Sequence, residues 1–580
     1  MKTEHDDILH LLLEDLNNAR DAHETLNGSI AQWREEIYFN DKSEATKDTN
    51  YKYNSTIKLK DIERTIEQSV PNLVEPFVGS DEIISVKGDG SNEMSYLVQT
   101  LLNEQWNDDI DTIDLMNDVA RVLQVDGSVI LKTGWSDNAP TIELIPFEEI
   151  MFDPAARSVN DIKFAIQKRR LQIIDILDNP TWFGSYTADE LIGLTLSNTT
   201  DDETYTENDG FGYDSDFNHS DKLRQYVDVY EYYGKMNIND EVKNIVAVFT
   251  NSNVLNVIDS PYPERWNGIP FDIAQYTKRT HSIFGSSIAD LTSDYQSVRT
   301  GFMRAILENA QNANHNQKWN KKGALDVVNK RKMLQGDDFE TNVDPQIAIV
   351  QGQFNQVPNS VFNIMDMMKQ EQEEITGIAR LSNGLDPRAL NSNVSATAVA
   401  TVNSNSEKRL LLITRNISSM MKRVFEKMLD LNMMLLEDKV VNLMGQDVIV
   451  NASLIAGSYK LKINVNTSGS KDAENQNILM MVQLLQSNAA VIPNAGSLVT
   501  KLLSRLSMNL NMTSIAQELR NAGSNNQQMQ MMQQQIQDLQ LQIETQKAQS
   551  EIAKNNAKAS LDSAKAIESQ VDAQMKAYGL

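Results

Sequence analysis

Cysteine is absent from all 580 residues. That excludes a disulfide framework, Cys-ligated zinc or iron–sulfur, and a thiol nucleophile. Histidine is scarce: His5, His10, His23, His219, His281 and His315 are scattered through different segments and read as surface or hydrogen-bonded residues rather than metal ligands. Long apolar runs are missing as well. The richest stretch, residues 478–492, is broken by Gln, Ser and Asn, short of the roughly 18 uninterrupted apolar residues that a membrane span needs. The first seven residues lack the basic-then-apolar order of a secretory signal. The expectation is a soluble protein of a reducing cytoplasm with no membrane partner.

Positive charge is in deficit, with 53 Lys+Arg against 80 Asp+Glu and a net charge of −27. A protein that coats nucleic acid needs clustered bases, so that class is disfavoured. An acidic wall that repels phosphate still suits DNA in transit, although solubility is the plainer reading of the charge. No Gly-x-x-x-x-Gly-Lys-[Ser/Thr], no strand-borne Gly-x-Gly-x-x-Gly and no His-Glu-x-x-His occurs. A packaging ATPase would carry the first of these. With eighty carboxylates, chance proximity empties any carboxylate-pair argument. The chain reads as not an enzyme, with no cofactor and no metal.

What is present is a sequence of contrasting textures. Leu9, Leu12, Leu13 and Leu16 recur at helical spacing, Trp33, Ile37 and Tyr38 predict a second amphipathic helix, and Ile62, Ile66 and Leu73 continue the pattern. After Asp126-Gly127, residues 129–135 and 141–145 are β-branched and turn-bounded, which predicts a hairpin. Further strands are expected at 162–168, 226–233 and 245–250, closed by an irregular segment around Pro261, Pro263 and Pro270. Residues 201–221 hold eight acids and no Lys or Arg, an acidic loop without the calcium-loop pattern.

From Ile283 the helical period returns through Ile288, Leu291, Tyr295, Val298 and Phe302. A strand-like insert at 314–357 holds the one basic island, Lys318, Lys321, Lys322, Lys330, Arg331 and Lys332, opposed within it only by Asp326. A helix with Val361, Ile364, Met365, Met368 and Ile375 comes next, then a polar loop at 381–395. Between Pro387 and Gly445 there is neither Gly nor Pro. The spacing predicts a helix of about forty residues, some 60 Å long, that can bend at Asn403-Ser-Asn-Ser406. Short strands are expected at 448–450 and 459–465. In the tail, eleven of the 25 residues from 525 to 549 are Gln. Met529, Met532, Ile536, Leu539 and Ile543 there mark a heptad seam, which favours a self-associating helix over a disordered Gln-rich tail.

The segment Ile283-Phe-Gly-Ser-Ser-Ile-Ala-Asp-Leu-Thr-Ser-Asp-Tyr-Gln-Ser-Val-Arg-Thr-Gly-Phe-Met-Arg304 resembles the start of the stem in portal proteins (head-to-tail connectors) of short-tailed, podovirus-type phages. Its Gly285, Ser287, Asp290, Asp294, Gln296 and Arg304 carry the likeness. Pro146-Phe-Glu-Glu-Ile-Met-Phe-Asp-Pro154, Ile375-Thr-Gly-Ile378, Gly384-Leu-Asp-Pro387 and Ser395-Ala-Thr-Ala398 follow the family order. The likeness in layout covers about residues 1–470.

The resemblance implies an α+β, mainly helical, portal-type subunit. Residues 1–282 would form a wing, 283–311 and 358–380 a helical stem, and 312–357 a small α/β clip, whose Lys318, Lys321, Lys322, Lys330, Arg331 and Lys332 would dock an acidic face of terminase or adaptor or give weak phosphate contact at the channel exit. A tunnel loop at 381–395 would bring Asn383, Arg388, Asn391 and Asn393 to DNA. Residues 396–470 would hold a long kinked helix and wing strands, 471–522 a helical crown, and 523–580 a C-terminal coiled-coil or barrel helix. It further implies a homo-oligomeric ring of twelve, assembled in the host cytoplasm and placed in the virion at the capsid vertex. Double-stranded DNA would pass through it without sequence specificity, and its partners would be the packaging terminase, the head-tail adaptor and tail proteins, and the major capsid and scaffolding proteins. On the residues alone three other readings stay open: another head-tail or internal ejection protein, a metal-dependent DNA-processing nuclease, and a coiled-coil scaffold.

Overall fold

The computed structural model describes residues 2–38, 57–78, 83–88, 92–197, 222–238, 241–314, 318–320, 322–335, 337–344, 349–351, 357–377, 396–443, 446–463 and 477–485, with a few positions between 499 and 507. Asn383, Arg388, Asn391 and Asn393, expected in a tunnel loop, the expected seam residues Met529 to Ile543, the acidic stretch at 201–221 and Lys321 lie outside them. The chain divides into two units, Met1–Thr467 and Ser468–Leu580.

Helix α1, Lys2–Tyr38, is one continuous helix where two were expected. Gly28 has open space around it and interrupts nothing. Helix α2 is Asp61–Val78, with Pro71 and Pro76 inside it. Strand β1, Ile84–Gly88, was not foreseen, and α3, Asn92–Glu104, and α4, Thr112–Val125, follow. A π-helical turn, Gln105–Asp109, intervenes and buries Trp106, whose indole N–H donates to the Phe77 carbonyl at 3.1 Å.

Strands β2, Ser128–Ser136, and β3, Ala139–Ile145, form the expected hairpin, paired Ile130 to Ile145 and Ser136 to Ala139. Its two-residue turn, Asp137-Asn138, holds both residues at positive φ, 50° and 60°. That is the mirror-image turn whose twist matches a hairpin, and Asp and Asn tolerate it.

A five-stranded antiparallel sheet contains β4, Ile150–Phe152, β5, Phe164–Gln172, β6, Tyr226–Ile238, β7, Glu241–Phe249, and β8, Val254–Asp259, in sequence order. Between β5 and β6 lie α5, Ile173–Asp178, α6, Pro180–Phe183, and α7, Ala188–Ser197. Alternation along β6 sends Val227 and Val229 to one face, where Ile173, Ile176, Phe183 and Leu191 cover them. Tyr230 and Tyr232 point to the other, against Leu12, Leu16 and Ala19 of α1. Each such side chain taken from water contributes about 1.5–3 kcal/mol.

Strand β9, Phe271–Gln275, falls just after Pro270 and adds antiparallel to β2, completing a three-stranded sheet. Helix α8 is Ile288–Asn314. The insert that follows is helical as well as strand-like: β10, Lys318–Asn320, then α9, Val327–Gln335, then β11, Ile349–Gln351, which pairs with β10. Helix α10 is Asn359–Thr376, closed by Gly377 in the left-handed region at φ 70°.

Helix α11, Ala396–Leu435, is helical through Asn403–Ser406 without a break. Its second half sits in the largest core, where Ile417, Met420, Met421, Val424, Phe425 and Met428 are fully buried. Strands β12, Lys439–Leu443, and β13, Gln446–Val450, form a hairpin, and β14, Tyr459–Ile463, pairs with β1. In the second unit, residues 477–485 are helical, and Ile478 and Val482 pack on Leu503 and Leu506. No described helix is long and apolar enough to cross a membrane.

Candidate functional site

The motif from Gly285 to Arg304 forms the base of α8 and its fastening to the body. Gly285 lies in a slot where an added Cβ would stand 2.7 Å from the carbonyl oxygens of Gly127 and Thr277. Its N–H donates to Ser128 Oγ at 2.9 Å. On the facing turn, Gly127 has φ +73° and room for no side chain, since a Cβ would meet the Ser286 carbonyl carbon and the Ser287 nitrogen at 2.5 Å. Ser287 is the N-cap of α8: its Oγ accepts from the Ala289 N–H at 3.0 Å and donates to the Gln124 carbonyl at 3.0 Å.

Further along the same helix, Gln296 is buried at 2% exposure and joins three helices. Its Oε1 accepts from the Ile62 N–H at 2.9 Å, and its Nε2 donates to the Glu36 carbonyl at 3.0 Å. Thr300 Oγ1 accepts from the Leu59 N–H at 3.2 Å, Arg299 pairs with Asp61, and Arg304 Nε donates to the Ile57 carbonyl at 2.9 Å. Asp290 pairs with Arg279 at 3.1 Å, and Asp294 is exposed. Five of the six motif residues therefore act as fasteners.

Beyond the base, α8 packs against α10. Both helices leave apolar side chains in solvent: Leu291 and Val298 on α8, Phe362 and Met367 on α10. Between them stands the insert. Of the basic residues singled out by sequence, Lys330, Arg331 and Lys332 lie together on α9, exposed, with Lys322 exposed just before it. Lys318 is in β10.

Several charged residues important to the body carry no local sequence pattern. Arg34 of α1 reaches Asp126 at 2.8 Å and also pairs with Glu148, tying α1 to the turn beneath α8; the one local sign was the Asp126-Gly127 helix end. Glu231, fully buried on β6, is met by Lys132 of β2 at 3.0 Å, Arg169 of β5 at 3.3 Å, the Tyr233 hydroxyl at 2.6 Å and the Trp182 indole N–H at 3.0 Å. Burial alone raises its carboxyl pKa, but Lys132, Arg169 and the Tyr233 hydrogen bond outweigh that and hold it at about 2.

His23 of α1 is nearly buried beside Phe147 and Phe284, and its Nε2 accepts from the Phe152 N–H at 3.1 Å. Desolvation lowers its pKa to about 4, so it is neutral in the fold. A cleft of about 570 Å³ opens beside β9 and α11. Its charges match one another: Arg423 and Lys427 with Asp272 at 2.9 and 3.0 Å, Arg265 with Asp430, and Glu426 with Lys422 at 3.6 Å. It reads as a brace between β9 and α11.

The family described as phage SU10 portal protein matches this chain over residues 8–139 and 136–554. Among solved structures, a chain of the virion of a native gene transfer agent particle is 8% identical, with a TM-score of 0.36, over 79% of this chain and 96% of that one. A chain of the neck of an empty gene transfer agent particle is 9% identical, with a TM-score of 0.37, over 75% and 90%.

Proposed function

Because the chain belongs to the phage SU10 portal protein family, we propose that it is a structural subunit of a twelve-membered ring at one capsid vertex. The ring is the channel through which double-stranded DNA enters and leaves the head, and the platform for terminase and then the tail adaptor. The observation that carries this reading is the family match, which runs from residue 8 to residue 554. The geometry supports it. Residues 283–311 and 358–380 supply the stem, with α8 and α10 packed together and Leu291, Val298, Phe362 and Met367 left for a neighbouring copy. Identical subunits close a ring through head-to-tail contacts of this kind.

Residues 1–282 and 396–470 make the wing that carries the stem, and the insert at 312–357 is the clip at its far end. The loop at 381–395, with Asn383, Arg388, Asn391 and Asn393, faces DNA; one base among polar side chains touches phosphate without holding it. Residues 471–522 form the crown, and 523–580 a barrel seamed by Met529, Met532, Ile536, Leu539 and Ile543. The role is structural, and the protein resides in the virion, in contact with capsid and tail proteins.

Electron microscopy of the purified full chain, with mass measured on the same sample, tests this. Rings with a central channel near twelve copies of 65.3 kDa, about 780 kDa, are expected. A monodisperse monomer at every salt concentration would overturn the reading.

A further inference from the structure

The insert between α8 and α10 carries two opposite charge patches that do not neutralise each other within one chain. Asp326 caps α9, its Oδ1 accepting from the Asn329 N–H at 2.7 Å, and Lys330, Arg331 and Lys332 follow on the helix. After the helix, residues 337–344 fold back along it. The Asp337 N–H donates to the Lys332 carbonyl at 2.9 Å, the Glu340 N–H to Asn329 Oδ1 at 3.2 Å, and the Asn342 N–H to the Ala324 carbonyl at 2.9 Å. These bonds fix the returning segment and display Asp337, Asp338 and Glu340, all exposed.

Although acids and bases are only a few residues apart, Lys330, Arg331 and Lys332 make no ion pair with Asp337, Asp338 or Glu340, nor with any other described residue. Each patch also has an apolar companion in solvent. Val327 and Val328 precede the bases, at 72% and 62% exposure, and Phe339 stands among the acids at 36%. Lys330, Arg331 and Lys332 are consecutive on α9 and fan over roughly 200° of its surface, while Asp337, Asp338 and Glu340 stand exposed on the segment that returns beside it. Two complementary patches on one rigid unit are what a head-to-tail contact between identical copies requires.

We propose that the basic patch of α9 in one copy docks on the 337–340 segment of the next copy, so that the inserts form a closed electrostatic belt. This rests on the ring reading above, and it assigns Lys330, Arg331 and Lys332 to a neighbouring subunit rather than to an outside acidic partner. An outside partner would account for the bases alone and leave the matching acids unexplained. A second copy accounts for both.

The test is charge reversal in the full-length chain. One variant carries Lys330→Glu, Arg331→Glu and Lys332→Glu; a second carries Asp337→Lys, Asp338→Lys and Glu340→Lys; a third carries all six. Ring fraction is read by mass and electron microscopy across a sodium chloride series. Each triple reversal is expected to raise the concentration needed for rings by roughly tenfold at low salt, with the difference fading as salt rises. The six-fold reversal restores assembly. So does an equimolar mixture of the two triple variants, because alternating copies again meet opposite charge.

Circular dichroism checks folding. Should a triple reversal misfold, the neutral Lys330→Gln, Arg331→Gln and Lys332→Gln chain takes its place with a smaller shift in the same direction. Triple reversals that assemble like the wild type would overturn the belt while leaving the ring intact, as would a six-fold reversal no better than either triple. Wild-type chains that never form rings would overturn the ring reading itself, and the belt with it.

Discussion

At its base, α8 is held by buried groups from three directions: Ser287 against Gln124, Gln296 between Ile62 and Glu36, and Arg299 on Asp61. Toward its far end the same helix packs against α10, and the insert beyond exposes charge and valine to solvent. One helix thus passes from a buried joint, hydrogen-bonded to α1, α2 and α4, to a surface that lies in solvent. Buried hydrogen bonds left unmade are costly, whereas exposed charge pairs contribute little singly and act through number and salt. The base serves the stability of the subunit, and the tip carries the association proposed above.

The strongest way to break that contrast is at the base. Gly127→Ala forces a Cβ into the Ser286–Ser287 backbone and strains a positive φ. A loss of ~3 kcal/mol or more is expected, read as a large drop in thermal midpoint and new protease cleavage near residue 286. A melt unchanged by this substitution would mean the joint is not rigid.

Next in size is the pH response of His23, which packs beside Phe284 at the start of α8. Its folded pKa of about 4 lies below the ordinary value of 6.5. The unfolded chain therefore binds the extra proton first, and stability falls as pH drops below about 6.5. The loss reaches about 2 kcal/mol near pH 5 and is complete near pH 4. Glu231 behaves differently: with its pKa held at about 2, its contribution is full above about 4.5 and is lost only on further acidification. Melts of wild type and His23→Leu between about pH 7 and about pH 5 should differ in slope, with the variant flatter. Parallel slopes would remove His23 from the joint.

The smallest effect is expected at the tip side. Phe362→Gln with Met367→Gln should change the stability of the isolated chain by less than about 0.5 kcal/mol, because both side chains already face solvent. The same pair should lower the ring fraction measured by mass. A chain destabilised as much as Gly127→Ala would show that these side chains are buried within one copy, and the contrast would fail.

These regions also differ in how far they could be read from sequence. The β2–β3 hairpin, the helix at Ala396–Leu435 and the motif at the base of α8 are local patterns, set by residues within a few positions of each other. Strand β1 escaped notice because its partner β14 is hundreds of residues away and its alternation, Ile84-Ser85-Val86-Lys87, is too short to stand out. Strand β9 was hidden behind Pro270, yet proline at a strand's threshold removes no ladder bond. The split of α1 into two expected helices came from reading two apolar clusters separately, when one helix uses the first on the five-stranded sheet and the second on the main core.

The family likeness located Gln296 but not what it does, since its partners Ile62 and Glu36 lie in other helices. Glu231 draws its partners from β2, β5 and β6 and from Trp182, an arrangement that exists only after folding. The charge separation within the insert was half legible: the bases stood out as an island, while the acids at 337–340 fell just past it and gained meaning from the fold-back that sets them beside α9.

Helix α11 has one more consequence. From Ala396 to Asp430 it runs about 50 Å with no glycine or proline, and Gln105 and Asn432 lock its far end by reciprocal amide bonds at 2.7 and 2.8 Å. Displacement of the free end of a long helix held at its other end becomes torque at the hold, and there the Asp272–Lys427 and Arg265–Asp430 pairs oppose it.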